Sequence, residues 1–291
     1  MPQKNLSAAT IDRLIAEAVA IESEAAAEAG ALGYMARVMV QTTMPHSKTP
    51  GSEYVRSNGA LKLTLLAPSE TGLPYGSIPR LLLAWLTTEA VRTKSHVLTL
   101  GNNLSDFMHQ LDMNPTGGRW GSITRLRDQS QRLFTASISC THSDPNRTDI
   151  LNIKIASRAT LWWKPKEPGQ RSLWESTLEL DRDFFDEITD RPVPLDQRAL
   201  KALRGSPMAL DTYCWLTYRL SYLKRSAHIP WPLLQRQFGA GYPETAKGRA
   251  DFKRAFVRHL RKIHALYPGL NLDVEREKLV LHKGRTHIAK R

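Results

Sequence analysis

The residues that could do chemistry are arginines and lysines. In two stretches of the chain they are spaced so that they would share one face of a helix. These stretches are residues 119–134 and 249–266. In the second, Arg254, Arg258 and Arg261 recur at intervals of four and three residues, so three guanidinium groups project from one ridge. A guanidinium can bond O6 and N7 of guanine through two parallel hydrogen bonds, or clamp a phosphate. The chemistry that these residues indicate is recognition of double-stranded DNA.

Each basic stretch also has an apolar stripe that would hold it on its own domain, as a recognition helix requires. The stripes comprise Ile123, Leu126, Leu133 and Phe134 in the first stretch, and Phe252, Phe256, Leu260 and Ile263 in the second. An ordinary solvated face is the alternative, but such faces usually mix signs, and Asp251 is the one acid at the edge of the second face. The residues predicted to contact DNA are Arg119, Thr124, Arg125, Gln131, Arg132, Lys247, Arg249, Lys253, Arg254, Arg258, Arg261, Lys262, Lys283 and Arg285.

The net charge of +13 is concentrated in two blocks of the chain. Residues 80–164 carry +5 and residues 246–291 carry +9, whereas residues 1–79 carry −1 and residues 165–245 carry none. Blocks of this kind suit a polyanion, because each neutralised phosphate releases condensed counterions. A basic surface that only aids solubility is the alternative. The C-terminal tail would either track phosphates or form a frayed basic end.

Motifs that would indicate catalysis are absent from the sequence. The segment GAGYPETAKG (239–248) is superficially like a phosphate-binding loop, but its lysine is followed by Gly248 instead of Ser or Thr. No His-hydrophobe-His, GxSxG or HExxH motif is present, and the acidic segment 178–190 is typical of an exposed helix start. Cys140 and Cys214 have no zinc-type spacing. We therefore expect no enzyme activity, no ATP hydrolysis, no cofactor and no metal.

The composition indicates a cytoplasmic protein with no membrane partner. No apolar run approaches the ~20 residues that span a bilayer, and the N-terminus lacks the pattern of a secretory signal. Tryptophans could stack single-stranded bases. The pattern instead places Trp85 and Trp215 in apolar helices, and favours an interdomain contact for Trp162 and Trp163. Trp174 and Trp231 are also candidates for stacking on single-stranded bases.

The elements that must position the basic helices occur twice in the same order. In the first copy an apolar helix (77–93) precedes a short helix (102–113), a turn rich in Gly and Pro, and the basic helix. Two strand-like runs follow it, at 135–140 and 149–163. This order predicts a winged helix-turn-helix domain.

The second copy repeats the order with its basic helix again in third place. An apolar helix (206–223), a short helix (229–239) and a turn precede the basic helix, and a hairpin (270–283) closes the unit. The sequence therefore predicts an α+β fold of two tandem winged helix-turn-helix domains. The predicted divisions are an N-terminal helix (7–36) and loop in residues 1–54, a first winged-helix domain in 55–164, and a linker with the second domain in 165–291.

The chain resembles the plasmid-encoded RepA family of replication initiators. The resemblance is carried by GLPYGSIPRLLLAWLTTEA (72–90), LSDFMHQLDM and TGGRWGSITRLRDQSQRLF, and it extends over about residues 55–285. It implies a cytoplasmic initiator that binds iterons, the directly repeated sequences of a plasmid origin. It also implies opening of adjacent DNA, contact with the host replication initiator and replicative helicase, control of plasmid copy number, and a possible homodimer.

Two other functions are compatible with the same sequence. A transcriptional regulator of winged-helix type would bind its operator without supporting replication. A structural or bridging protein would bind DNA weakly and without sequence preference. Footprinting for regularly spaced direct repeats would separate all three.

Overall fold

The computed structural model describes residues 8–100, 103–161, 163, 176–267 and 269–288. It divides the chain into two compact units. The bipartite unit combines residues 1–33 with residues 193–291, and the central unit comprises residues 34–192. The observed division therefore differs from the predicted boundaries at residues 54 and 164, because the N-terminal helix joins the C-terminal domain.

Three of the five described helices of the central unit lie in helix-turn-helix order, and strands follow them. Strand β1 spans the boundary between the units. The elements are β1 (Leu32–Met35), α2 (Arg37–Gln41), β2 (Glu53–Asn58), β3 (Leu61–Leu66), α3 (Ser77–Thr93), β4 (Val97–Thr99), α4 (Leu104–Gln110), α5 (Ser122–Thr135), β5 (Ser137–Ser143), β6 (Thr148–Lys154), β7 (Ala156–Thr160), β8 (Thr177–Leu180) and α6 (Arg182–Asp190). The strands form one sheet in the order β2-β3-β5-β6 and another in the order β4-β8-β7.

The bipartite unit repeats the helix order and the sheet order of the central one. Its elements are α1 (Ala8–Ser23), β9 (Val193–Asp196), α7 (Gln197–Leu203), α8 (Pro207–Ser221), β10 (Ala227–Pro230), α9 (Trp231–Phe238), α10 (Ala246–Leu266), β11 (Leu272–Val274) and β12 (Lys278–Leu281). Its three-stranded sheet has the order β10-β12-β11. In the central unit β4, between α3 and α4, pairs with β8. In the bipartite unit β10, between α8 and α9, pairs with β12 in the same way, which makes both units winged helices. The predicted α+β fold of tandem winged helices is confirmed.

The wing of the central unit is not the one that the sequence predicted. The predicted wing strands 135–140 and 149–163 correspond to β5, β6 and β7, but β5 and β6 pair with each other and with β3. By strand order, the counterpart of β11 and β12 is β7 with β8, which pair across residues 161–176. The β5–β6 hairpin is thus an insertion between α5 and the wing. The predicted linker accordingly includes one wing strand, β8.

The N-terminal helix is shorter than the predicted 7–36, since α1 ends at Ser23. Arg198 explains this end, because its guanidinium donates to the carbonyl oxygens of Ala20 at 2.8 Å and Glu24 at 2.9 Å. The last carbonyls of a helix have no partner within it, so a donor from α7 satisfies them there. Two further contacts fix α1 on α7, since Arg13 donates to the carbonyl of Ala202 and Lys201 pairs with Glu17.

Each unit has its own apolar core beneath its basic helix. In the central unit, Leu126 and Leu133 of α5 are completely buried. In the bipartite unit, the buried rings of Phe252 and Phe256 on α10 lie 5.4 Å apart, and Phe238 of α9 lies 5.3 Å from Phe256. The apolar stripes that the helical period predicted therefore face inward, which orients the opposite faces of α5 and α10 toward solvent.

Candidate nucleic-acid interface

A rigid turn positions the start of α5. Thr116 and Ser122 close it, since each backbone N–H donates to the other's hydroxyl at 2.9 Å, and the Ser122 hydroxyl also donates to the carbonyl of Asn114. Gly121 lies against this turn, and a Cβ there would come within 2.3 Å of the carbonyl oxygens of Thr116 and Gly117. Only glycine permits this approach, so the turn holds its tip at a fixed place before the helix.

The outward face of α5 carries most of its predicted DNA contacts. Thr124, Arg125 and Gln131 are exposed, and Arg119 is exposed on the turn. The Thr124 hydroxyl donates to the carbonyl of Gly118 at 2.9 Å, which ties the helix to the turn. The sequence prediction omitted Arg127, which is exposed on this same face. The helical period could have found it, because it lies only about 40° around the helix from Gln131.

Arg132 has different surroundings from the rest of this set. Its side chain is only 15% exposed and pairs with Asp128 at 2.9 Å. The guanidinium carbon also lies 5.6 Å from the centre of the Tyr75 ring, and Gly72 leaves room for it. These contacts hold the guanidinium against the central unit, where it braces α5.

The start of α10 is built in the same way as that of α5. The side chain of Thr245 caps the helix by accepting from the N–H of Gly248 at 3.1 Å. A Cβ on Gly248 would come within 2.0 Å of the carbonyl oxygen of Pro243. A glycine that packs directly on the preceding turn is therefore common to both units, and it fixes how each basic helix leaves its turn.

The outward face of α10 carries three exposed arginines at helical spacing. Arg254, Arg258 and Arg261 lie opposite the buried phenylalanines, and Lys247 and Arg249 are exposed near the start of the helix. Arg254 is 74% exposed, although it pairs with Asp251 at 3.2 Å. The surface is therefore cationic and open, and its guanidinium groups can reach a duplex.

Lys262 lies at the edge of this face and is partly buried. Burial lowers the pKa of its ammonium group, and the neighbouring cations Arg258 and Arg13 lower it further. Arg258 and Arg13 therefore place like charges beside Lys262, and a bound polyanion would relieve that repulsion.

Lys253 is held by the wing of its own unit. Its Nζ donates to the carbonyl oxygens of Glu275 and Arg276, both at 2.8 Å, and lies 4.8 Å from the centre of the Trp231 ring. The indole N–H of Trp231 donates to the same Glu275 carbonyl. Lys253 was predicted to contact DNA, and the structure places its charge on the turn of the β11–β12 hairpin, where it positions the wing beside α10.

Helix α1 borders the arginine face of α10. A groove of about 910 Å³ lies between them. One side carries the apolar side chains of Ile11, Ile15 and Val19, which are exposed by 43%, 56% and 60%. The other side carries the α10 arginines, with Val257 between them. A duplex at these arginines would therefore meet a surface that combines cations with apolar side chains.

The C-terminal tail folds back on the bipartite unit. Lys283 and Arg285 are exposed, but the carbonyl of Arg285 accepts from the Tyr267 hydroxyl at 3.1 Å. His287 stacks on Tyr267 with 4.6 Å between ring centres. These contacts anchor the tail at Arg285 and His287, and its last two cations, Lys290 and Arg291, lie outside the described residues.

The tryptophans divide into packed and exposed ones. Trp85 donates to Gln110 and makes an edge contact with Phe107, and Trp215 is buried beside Phe238. Trp162 and Trp174 lie outside the described residues. The sequence prediction did not include Trp120, which is 81% exposed in the turn before α5. Nothing in its helical spacing marks it, because it lies in the turn.

The described residues hold no group of three or more His, Cys, Asp or Glu side chains that could bind a metal ion. None of the helices in the same ranges is long and apolar enough to cross a membrane.

The fold and the site define the class of protein as a tandem winged-helix protein with a basic helix in each unit. Crystal structures of domains 2 and 3 of RctB share this fold. The one of RctB residues 155–483 covers 84% of this chain and 94% of its own, with a TM-score of 0.51 and 12% identity. The selenomethionine form covers 87% and 99%, with a TM-score of 0.57 and 12% identity. No curated protein matches the chain.

The sequence family narrows this class. The family described as plasmid-encoded RepA protein matches residues 73–231, which is more than half of the 291 residues. The chain belongs to this family of plasmid replication initiators. The predicted resemblance is therefore confirmed. The matched range includes α3, α4, α5 and α8, so it covers the first basic helix and ends before the second.

Proposed function

We propose that the protein starts replication of a plasmid by binding iterons in double-stranded DNA at the origin, through the outward faces of α5 and α10. One observation carries the proposal: Arg254, Arg258 and Arg261 are exposed on the face of α10 opposite its buried phenylalanines. A helix held by its apolar stripe can present such a ridge to the major groove, where arginine bonds guanine. Family membership supports the replication role.

Binding alone would supply the work of opening the origin. The protein would act without catalysis, cofactor or metal, and repeated sites would let many contacts offset the cost of bending DNA, a few kcal/mol per site. The opened origin would then receive the host replication initiator and the replicative helicase. A homodimer, with a role in copy control, is part of the same proposal. The place of action would be the cytoplasm.

The test uses DNA flanking the gene, in footprinting and gel-shift titrations at fixed salt. We expect protection of direct repeats at regular spacing. Arg254→Ala and Arg258→Ala should each lower affinity by about 1–3 kcal/mol, because each removes a guanidinium that contacts a base or a phosphate. The matched control is Arg191→Ala, since Arg191 is also 74% exposed but lies after α6. Equal affinities for the two arginine variants and wild type would contradict the assignment.

A replication assay separates an initiator from a transcriptional regulator. A plasmid that carries the flanking DNA and no other origin should be maintained only when the protein is supplied. The Arg254→Ala/Arg258→Ala double variant should lose that maintenance in proportion to its loss of affinity. Binding to the repeats without plasmid maintenance would instead identify a regulator.

A further inference from the structure

Trp120 is an exposed tryptophan with no packing role in the central unit. At 81% it exceeds the exposure of Ile150 at 64% and Val19 at 60%, the next most exposed large apolar side chains of the described residues. Tryptophan combines a large apolar area with one polar N–H and is enriched at interfaces, so an indole that is 81% exposed suits contact with a partner.

The indole is held outward by a rigid segment. The turn before α5 is closed by the reciprocal hydrogen bonds of Thr116 and Ser122, and Gly118 has a φ of +87°, a conformation that favours glycine. Gly121 then packs on the carbonyls of Thr116 and Gly117. Because the backbone is fixed on both sides of Trp120, contact with a partner would need ordering of the side chain but little ordering of the main chain.

The surroundings of the ring favour a nucleic acid over an apolar protein surface. The guanidinium carbon of Arg119 lies 5.1 Å from the ring centre. Arg125 and Arg127 are exposed on the first turns of α5, which begins two residues after Trp120. The N-terminal residues of a recognition helix are those that approach base edges, and a cation beside an aromatic ring suits a base next to a phosphate.

We propose that Trp120 stacks its indole on a nucleobase of the bound origin DNA, with Arg119 on the adjoining phosphate. This rests on the proposed function and deepens it. The faces of bases in an intact duplex are covered by their neighbours, so the indole reaches one only where a base step is unstacked. Trp120 would therefore couple binding by α5 to local unstacking, which is the first distortion that origin opening requires.

The test measures binding and unstacking together on the full chain. The probe is a duplex that contains one protected repeat, with the fluorescent adenine analogue 2-aminopurine at successive positions. Wild type should raise the fluorescence at one position per repeat. Trp120→Ala should abolish that rise and weaken binding about 5- to 150-fold, the usual range for loss of one base–aromatic stack. Trp120→Phe should retain most of both effects, since it keeps a ring.

Two controls separate the alternatives. Ile150→Ala removes another exposed apolar side chain of the central unit and should leave both signals unchanged. Each strand of the repeat, tested alone, distinguishes stacking in a distorted duplex from stacking on a single strand. If Trp120→Ala weakens binding to a single strand but not to the duplex, the contact belongs to the opened state.

The outcomes that overturn the inference are distinct from failure of the proposed function. If wild type protects the repeats while Trp120→Ala binds duplex and single strands like wild type and keeps the fluorescence rise, Trp120 has no stacking role and the proposed function stands. If Trp120→Ala instead keeps both DNA signals but loses plasmid maintenance, the indole contacts a protein and the stacking inference falls. If wild type fails to protect any repeat, both proposals fall.

Discussion

On α5, two arginines five residues apart have opposite surroundings. Arg127 is exposed on the outward face, whereas Arg132 is 15% exposed and is held by Asp128 and by the ring of Tyr75. Both are arginines, and the prediction from helical spacing named Arg132 as a DNA contact and omitted Arg127. Their environments assign them different roles.

We predict that Arg127→Ala lowers affinity for the repeats by about 1–3 kcal/mol and leaves stability unchanged. Arg132→Ala should instead lower the free energy of unfolding by about 1 kcal/mol, because it removes a partly buried ion pair and a cation–π contact. Gel-shift titration and urea unfolding of both variants measure the two effects. A stability loss in Arg127→Ala, or an unchanged unfolding curve in Arg132→Ala, would contradict this division.

His287 is a half-buried titratable group in the bipartite unit. The Tyr213 hydroxyl accepts from the N–H of Asp196 and lies at hydrogen-bond distance, 2.7 Å, from Nδ1 of His287. The other ring nitrogen, Nε2, is buried without a hydrogen-bond partner in the described residues. Burial lowers the pKa of His287 from 6.5 to about 4, and Arg198 adds to that lowering while Asp196 opposes it.

The sign of the pH effect follows from this lowered pKa. Between pH 6.5 and 4 the unfolded chain binds a proton on His287 that the folded chain excludes, so the free energy of unfolding falls as pH decreases through that window. The loss should reach about 3 kcal/mol near pH 4. Urea unfolding of wild type and His287→Gln over this range measures it, since the variant should lack this component. His228→Gln, at an exposed histidine, is the control. Parallel pH profiles for wild type and His287→Gln would rule out the effect.

At the scale of elements, Lys253 connects α10 to the turn of the β11–β12 wing. Its Nζ donates to the carbonyls of Glu275 and Arg276 and lies 4.8 Å from the centre of the Trp231 ring. An ammonium group suits this role because it offers three donors to carbonyls that have no partner within a short hairpin. The wing and the basic helix therefore form one surface.

We predict that Lys253→Met, which keeps the aliphatic stem and removes the donors, speeds amide exchange in residues 272–281 and lowers DNA affinity several-fold. The matched control is Lys247→Met, since Lys247 is exposed on the same helix. It should lower affinity through loss of charge and leave exchange in the wing unchanged. Equal exchange rates in the two variants would show that Lys253 does not position the wing.

The same scale shows what the sequence could and could not predict. Helices α3, α8 and α10 follow from their apolar period, and the order of elements in two copies gave the winged-helix fold. The wing of the central unit could not be recognised, because β5 and β6 alternate as wing strands do and only pairing with β3 excludes them. Likewise, no local pattern shows that α1 packs in the C-terminal unit, since Arg13 and Arg198 act across more than 170 residues.

The candidate site was predictable to the same extent. Exposure of Arg254, Arg258 and Arg261 follows from the helical period, because the opposite face is apolar. Spacing cannot distinguish cations that contact the protein itself, such as Arg132 and Lys253, from cations that are available to contact DNA. Trp120 lies in a turn, where no period applies, and its exposure depends on the packing of Gly121.

At the scale of the whole molecule, the net charge of +13 is divided between the two basic helices and their flanks. Both units contain the same arrangement of a glycine-seated helix, an outward cationic face and a three-stranded sheet. Duplication of this kind predicts two DNA-contacting surfaces on one chain. The affinity of the whole protein would then include both contributions, and each should be removable without the other.

We predict that wild type protects two segments in each repeat, about 10–10.5 bp apart, because each recognition helix enters its own major groove. Arg254→Ala/Arg258→Ala should erase one segment, and Arg125→Ala/Arg127→Ala the other. Each double variant should also reduce the dependence of log affinity on log salt by about one for each lost arginine that neutralises a phosphate, and by less where the arginine contacts a base. Hydroxyl-radical footprinting at several salt concentrations measures both. If either double variant erased both segments equally, the two faces would bind DNA as one cooperative surface, and the duplicated helices would not act as independent contacts with the duplex.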